Sequence, residues 1–319
     1  MSVVAFMFPG QGAQKVGAGK DLFHSSPAAR DVFLRANDVL GFDICKLCFE
    51  GPEEELTLTE NAQPALLTVS AAALAAARER GLEAGVALGH SLGEYTALYY
   101  AGAFDLPTAL SLVRKRGELM GEAARQSGGA MAAILGLEDD AVRSIVEQVA
   151  RGRALVAANF NAPGQVVVSG EAEAVADACR AAKEAGAKRA VPLNVSGAFH
   201  SPLMNEAAEQ MARVLDDAPI ADARIPVIMN ATAQPTQRAE DIRQALKRQI
   251  ISSVRWRESL EQLPGLGCDV AVELGSNRLL CGMLRRTVPE LPCYCIYDMR
   301  SLEEVAGELG ETPAGTAER

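Results

Sequence analysis

The sequence predicts an α/β fold, and three observations carry that reading. Short apolar runs end in tight Pro/Gly turns, as at Val3–Phe8 before Pro9-Gly10 and at Val86–Gly89. Stretches with helical spacing follow them, and strand, turn, helix is the grammar of a largely parallel, buried sheet. Between residues 128 and 195 the order changes to β-α-β-β-α-β, which reads as a second, smaller unit. The chain has 319 residues. At ~100–200 residues per domain, that length fits two domains or one large domain carrying an insertion.

In chain order, Val3–Phe8 is apolar and β-branched at its start, as a buried strand requires. Ala28–Leu40 has 3.6-type spacing, and Gln63–Arg80 is an Ala/Leu-rich helix with Pro64 suited to its first turn. Val86–Gly89 is a second strand, and a helix is expected from Ser91. In the smaller unit, strand Ala130–Leu135 and helix Asp139–Ala150 lead to strands Ala154–Ala158 and Gln165–Ser169. Helix Ala172–Ala185 and strand Arg189–Leu193 close it. The larger pattern then resumes with strands Val227–Asn230 and Val270–Leu274 and helices Glu240–Gln249 and Arg278–Thr287. The expected organisation is therefore a discontinuous large α/β domain at 1–127 and 196–309, a ferredoxin-like (βαββαβ) subdomain inserted at 128–195, and a small, polar, flexible tail at 310–319. A cleft between two such lobes is a favoured ligand site.

Composition narrows the function. Hydrophobic residues make up 49% and charged residues 23%, ordinary for a globular protein. The formal net charge is -10, which repels a polyphosphate backbone and argues against nucleic acid as a partner. No signal peptide is expected, and the apolar run Val69–Ala77 is too short for a membrane span. The seven cysteines show no spacing that suggests a disulfide framework. Cys45 and Cys48 form a CxxC without a second zinc-like pair, and DICKLCFE reads better as a helix facing a core than as a metal or redox site. A reducing cytoplasm is the expected compartment.

The sharpest chemical signal is Gly89-His90-Ser91-Leu92-Gly93, a G-x-S-x-G between a strand and a helix. The small flanking residues allow a tight turn that holds the Ser91 hydroxyl out at the end of the strand. A helix-capping serine would satisfy the same local pattern. This context gives the large domain an α/β-hydrolase-like expectation. A nucleophilic serine needs a base. Of the three histidines, His24 falls in an exposed-looking turn, and His90 is adjacent to Ser91, so it is badly directed to take its proton. His200, in Val195–Pro202 just after the inserted unit, is the base by elimination.

Six ordered segments resemble the malonyl-CoA:acyl-carrier-protein transacylases. They are FPGQGAQ at Phe8–Gln14, GHSLGEY at Gly89–Tyr95, RKRG at Arg114–Gly117, NFNAPGQVVVSG at Asn159–Gly170, GAFHSPLM at Gly197–Met204 and ELG at Glu273–Gly275. The resemblance implies that Ser91 is acylated by malonyl-CoA and that His200 shuttles its proton. It implies that the backbone carbonyl of Gln249 orients His200, and that the backbone N–H groups of Gln11 and Leu92 form an oxyanion hole. It selects Arg116 as the clamp for the malonyl carboxylate, where a planar guanidinium can make two parallel hydrogen bonds. Phe199 becomes the residue limiting substituents on the acyl α-carbon. Asn159 and Asn161 match positions near the pocket, where capping a turn is an equally good reading. One departure is visible: Gly275 is followed by Ser276-Asn277-Arg278, where the family usually reads G-P-G-K.

The implied activity is ping-pong transfer of malonyl from malonyl-CoA to the phosphopantetheine thiol of holo acyl carrier protein, supplying fatty-acid synthesis. No metal or organic cofactor is called for. A polyketide acyltransferase acting in trans, or an acyl-thioester hydrolase using the same pair, are the rivals. Arg116 argues against a hydrolase of neutral esters. An acidic carrier needs a local basic area on this acidic chain. The candidates are Lys247-Arg248, Arg255, Arg257 and Arg285-Arg286, each equally readable as a solvated face. Nothing calls for an obligate oligomer, so a monomer is expected, with no nucleic-acid or membrane partner.

Overall fold

A computed structural model describes residues 3–310 and has an α/β architecture with two sheets. The larger sheet has six strands in the order β10-β9-β1-β2-β7-β8. These are β1 (Val3–Phe8), β2 (Val86–Gly89), β7 (Val227–Ile228), β8 (Pro235–Thr236), β9 (Cys268–Leu274) and β10 (Cys293–Ile296). All neighbours pair in parallel except β7 and β8. β1 lies in the middle and is buried on both faces. Phe6 and Phe8 join one core cluster, and Ala5 and Met7 join another. That explains its continuous apolar run in place of an alternating one.

The smaller sheet comprises β3 (Gly129–Leu135), β4 (Leu155–Ala162), β5 (Gln165–Glu171) and β6 (Arg189–Pro192). Its order is β4-β5-β3-β6, with every pairing antiparallel. Helices Asp139–Ala150 and Ala172–Glu184 pack on it over a separate core that includes Ile134, Val142, Phe160, Val166 and Val175. The β-α-β-β-α-β order read from the sequence is thus present between residues 129 and 192.

β4 outruns its sequence expectation by four residues, and the extension ties the small sheet to a segment outside either sheet. Its register against β5 shifts between Ala157 and Asn159. There the backbone bridges to the chain after helix Ala239–Gln249: Val254 N–H donates to Ala158 O at 2.8 Å, and Phe160 N–H donates to Val254 O at 2.9 Å. A bulge of this kind re-aims side chains, and here it directs Asn159 and Asn161 toward the cleft.

Three other expectations are corrected. The helix predicted from Gln63 begins at Thr59, so Pro64 lies inside helix Thr59–Glu79, and its carbonyl accepts from Thr68 Oγ1 at 2.8 Å. Thr59 and Glu60 supply a first turn that the Pro64 signal concealed. His24 is exposed as expected, but on a short helix, Lys20–Ser25. A disulfide joins Cys281 to Cys293, although the spacing of the cysteines gave no sign of one. The two residues come from a helix and a strand that only the tertiary fold brings together. Cys48 is buried in helix Ile44–Glu50, in line with a core role for the CxxC. Of the expected tail, Gly310 ends helix Met299–Gly310, and positions 311–319 lie outside the described residues. Among the described residues, no helix is long and apolar enough to cross a membrane.

Candidate active site

The site is built where β2 ends. An added Cβ on Gly89 would lie 2.0 Å from the backbone of Gly93, and one on Gly93 would lie 2.0 Å from the Phe8 carbonyl. Neither position has room for a side chain, so the turn packs directly on β1. Ser91 sits at φ 49°, a strained conformation for a residue other than glycine. Asn230, just past β7, fixes the turn: its Oδ1 accepts from Ser91 N–H at 2.7 Å, and its Nδ2 donates to Gly89 O at 2.7 Å. Helix Gly93–Ala101 then begins, two residues later than its sequence expectation.

Ser91 Oγ lies 2.8 Å from His200 Nε2. His200 Nδ1 faces two backbone carbonyls, Gln249 O at 3.0 Å and Ser252 O at 3.1 Å. Carbonyls only accept, so Nδ1 carries the proton and Nε2 is left with a lone pair toward the serine. His200 is itself at φ 57°. Its loop is drawn tight at Gly197, where a Cβ would meet Ala124 at 2.3 Å, and at Ser201, whose hydroxyl donates to Ala198 O at 2.7 Å. Burial pushes the imidazole pKa down to about 3, helped by the nearby Arg116 guanidinium and His90 and opposed by the two carbonyls. The neutral ring can therefore accept the hydroxyl proton at any pH near 7.

Arg116 is 1% exposed. Its Nη1 donates to Gln63 Oε1 at 2.8 Å, and its Nη2 donates to Gln249 Oε1 at 2.9 Å and to Ser91 Oγ at 3.1 Å. All three acceptors are neutral, and no carboxylate lies within ion-pair distance among the described residues. Its Nε is buried without an acceptor. Desolvation lowers the guanidinium pKa from its ordinary value, although Tyr95 and Glu94 offset part of this. Two positions earlier on the same helix, Arg114 makes an ordinary surface pair with Glu118.

The remaining expected residues line one cleft of about 330 Å³. Gln11 and Leu92 meet across it because the Pro9-Gly10 turn abuts the elbow, with a Gly10 Cβ falling 2.3 Å from the His90 carbonyl. Neither of their backbone N–H groups is taken by another acceptor among the described residues. Phe199 walls the cleft, and Asn159 lines it. His90 also lines it, but its Nε2 is turned away from Ser91 and pairs with Asn161 Oδ1 at 2.8 Å.

Sequence reasoning missed a buried layer beneath these groups. Gln63 was passed over as part of an Ala-rich helix. Glu94, 0% exposed, accepts from Gln249 Nε2 at 3.0 Å and from Asn230 N–H. Gln249 Nε2 also donates to Ser91 O at 2.8 Å, so the Gln249 side chain holds the elbow while its main chain holds the histidine. Burial raises the Glu94 pKa to about 8, against the pull of Asn230, Arg116 and Gln249. The only available signal was its place in GHSLGE. The expected basic patch is mostly neutralised: Lys247 pairs with Asp216, Arg255 with Glu258, and Arg257 with Asp139 and Glu261. Arg286 donates to Gln165, while Arg248 and Arg285 are exposed and make no ion pair among the described residues.

The chain matches the acyl transferase domain family over residues 5–311. It is 45% identical over 312 residues to "Malonyl CoA-acyl carrier protein transacylase" of Bacillus subtilis (strain 168), covering 98% of each chain. It superposes with a TM-score of 0.94 on a malonyl-transacylase solved in complex with its type II PKS acyl-carrier protein, at 42% identity, covering 96% of this chain and 100% of that one. An acyl carrier protein S-malonyltransferase from Vibrio cholerae O1 biovar eltor str. N16961 is similarly close, with a TM-score of 0.92 and 42% identity over 95% of this chain and 100% of that one.

Proposed function

This chain belongs to the malonyl CoA-acyl carrier protein transacylase family, and from that premise we propose how its own residues carry malonyl from coenzyme A to the carrier protein. Ser91 is the nucleophile and His200 the base. His200 Nε2 takes the hydroxyl proton as Oγ attacks the malonyl thioester carbonyl. The oxyanion that forms is held by the N–H groups of Gln11 and Leu92. Its collapse breaks the C–S bond, and His200 returns the proton to the departing coenzyme A thiolate. The phosphopantetheine thiol of holo acyl carrier protein then gives its proton to His200 and attacks the malonyl-serine ester; the acyl–Oγ bond breaks, and His200 passes the proton to the Ser91 oxygen. The Gln249 carbonyl, with that of Ser252, keeps His200 in the productive tautomer without a buried carboxylate.

One observation carries the choice of malonyl: a buried guanidinium touches the nucleophile's oxygen and has no anionic partner within ion-pair distance. A substrate carboxylate is the partner it lacks. Phe199 limits branching at the α-carbon. Arg285 and Arg286, on a helix whose Leu279, Leu280 and Met283 line the cleft, are the best remaining candidates for carrier docking, joined by Arg248. The large domain is α/β-hydrolase-like at 1–127 and 196–309, with a ferredoxin-like insertion at 128–195. The enzyme works as a cytoplasmic monomer that needs neither membrane nor nucleic acid.

The test is intact-protein mass after brief exposure to malonyl-CoA. Wild type should gain one malonyl group that holo acyl carrier protein removes, and Ser91→Ala should gain none. An adduct that water clears as fast as the carrier does would sink transfer in favour of hydrolysis. Fatty-acid synthesis is the primary pathway. The likeness to a transacylase captured with a type II PKS carrier supports polyketide supply as the second reading, which relative kcat/KM for the two kinds of carrier decides.

A further inference from the structure

Four side chains away from Ser91 converge at the far edge of the large sheet. Cys293 and Cys295 are two apart on β10, so they share a face, and that face meets Cys281 on helix Leu279–Thr287. Cys295 Sγ lies 3.2 Å from Cys281 Sγ and 3.9 Å from Glu273 Oε2, on β9. The donor atoms of Glu273, Cys281 and Cys295 all lie within 4.8 Å of one another, and all three residues are buried. Glu273 is 0% exposed, and its Oε2 accepts from Cys281 N–H at 2.9 Å, while its Oε1 has no hydrogen-bond partner. An unpaired carboxylate oxygen is costly in such a place unless something electropositive joins it.

We propose that, once the Cys281–Cys293 disulfide is reduced, Glu273, Cys281 and Cys295 bind a soft divalent cation of the zinc class, with Cys293 within reach as a fourth ligand. The dimensions fit. Zinc–sulfur bonds of about 2.3 Å and zinc–oxygen bonds of about 2.0–2.2 Å place tetrahedral ligands roughly 3.5–3.8 Å apart. The set of sulfur and carboxylate donors excludes magnesium and calcium, which take oxygen ligands. The disulfide and the metal are mutually exclusive, because Cys281 Sγ cannot be a thiolate while bonded to Cys293. Opening the site takes two electrons and two protons from a dithiol, which leaves as its own disulfide. Binding then releases the Cys281 and Cys295 protons to solvent. Either closure ties helix Leu279–Thr287, which walls the substrate cleft, to the strand beside it.

The test uses the full chain under argon and Co2+ as the probe. Protein reduced with a dithiol and then freed of it should bind one equivalent, with a thiolate-to-cobalt charge-transfer band, and oxidised protein should bind none. Cys293→Ser, reduced in the same way, should bind one equivalent through Glu273, Cys281 and Cys295, and Zn2+ should displace the Co2+. Cys281→Ser/Cys295→Ser, which leaves only Glu273 and Cys293 of the four ligands, should lose the band. Should that variant fail to fold, the Cys45→Ser/Cys48→Ser double variant answers instead, since it must keep the band. Cys293→Ser that binds no more than oxidised wild type, or a band that follows Cys45 and Cys48, would overturn the proposal.

Discussion

Two turns in the large sheet share one local grammar. The elbow at 89–93 follows β2, and the turn at 275–278 follows β9. Both leave the carboxyl end of a parallel strand, contain glycine and open a helix. Only the first presents the proposed nucleophile. There the backbone is forced: two glycines have no free space, and Ser91 is held at positive φ under His200 and Arg116. The second only braces its backbone and, among the described residues, faces no base or buried cation like His200 and Arg116. Ser276 and Asn277 both donate to Ala13 O, Glu273 caps the next helix at Cys281, and Arg278 turns to Tyr297 OH at 3.0 Å. A strand-turn-helix context is thus permissive, and the convergence of a base and a buried cation on the turn makes the site.

The contrast is tested most severely by adding one methyl group. Gly93→Ala drives a Cβ against the Phe8 carbonyl, which cannot move without moving β1. We expect a loss of at least ~3 kcal/mol of stability, or no folded protein. Gly275→Ala meets side chains rather than backbone, the Pro9 ring at 2.5 Å and Ser70 Oγ at 3.4 Å, and should cost about 1–2 kcal/mol. Urea unfolding of the two variants compares them directly. Equal losses would mean that the elbow is no tighter than its counterpart.

Arg116 supplies the next largest effect. Arg116→Gln keeps a polar group beside Ser91 but removes the guanidinium proposed to hold the malonyl carboxylate. Malonyl loading should fall about 100- to 1,000-fold, the loss of roughly 3–4 kcal/mol of charged hydrogen bonding, while acetyl loading changes by only a few-fold. Equal losses for both acyl groups in stopped-flow loading would remove Arg116 from substrate choice.

The same variant has a titration signature. In the free enzyme the imidazolium form of His200 is disfavoured by burial first and by Arg116 second, which places its pKa at about 3. Removing a positive neighbour favours the protonated form, so the pKa must move up in Arg116→Gln. A bound malonyl carboxylate should act in the same direction, making His200 a stronger base when substrate is present. An NMR titration of the His200 ring should show the wild-type midpoint well below 6.5 and the variant's above it on the pH axis. No movement, or a downward one, would show that Arg116 and His200 are not electrostatically coupled.

What the sequence disclosed follows the same division. Elements whose residues are local were legible: β1 from its apolar run, the elbow from G-x-S-x-G, and the small unit from its alternating order. The pairing of Ser91 with His200 came from there being only three histidines, not from geometry. Arg116 needed the family resemblance, because RKRG on a helix looks the same whether it points in or out. The supporting layer of Gln63, Glu94 and Asn230 stayed hidden. Buried amides and carboxylates carry no periodic signature, and their partners lie far away in the chain. The Cys281–Cys293 contact was invisible for a different reason: the two are only 12 residues apart, and their spacing does not say how the helix folds back on its strand.

The smallest expected effect concerns the turn where this chain departs from the family's usual sequence. Ser276 Oγ donates to Ala13 O, two residues beyond Gln11, so the departure lies one short segment from the proposed oxyanion hole. Yet the Gln11 N–H is positioned by other contacts. Gly10 is packed on the His90 carbonyl, Ala13 N–H donates to Gly10 O at 3.2 Å, and the Gln11 side chain donates to Thr59 Oγ1 at 3.2 Å. Asn277 Nδ2 also stays on Ala13 O when the serine hydroxyl is gone, at 3.4 Å. Ser276→Ala should therefore cost about 1 kcal/mol of stability and change malonyl loading less than ~3-fold. A ten-fold loss of loading with stability unchanged would mean that this turn tunes the oxyanion hole, and the line drawn between the two turns would have to be redrawn.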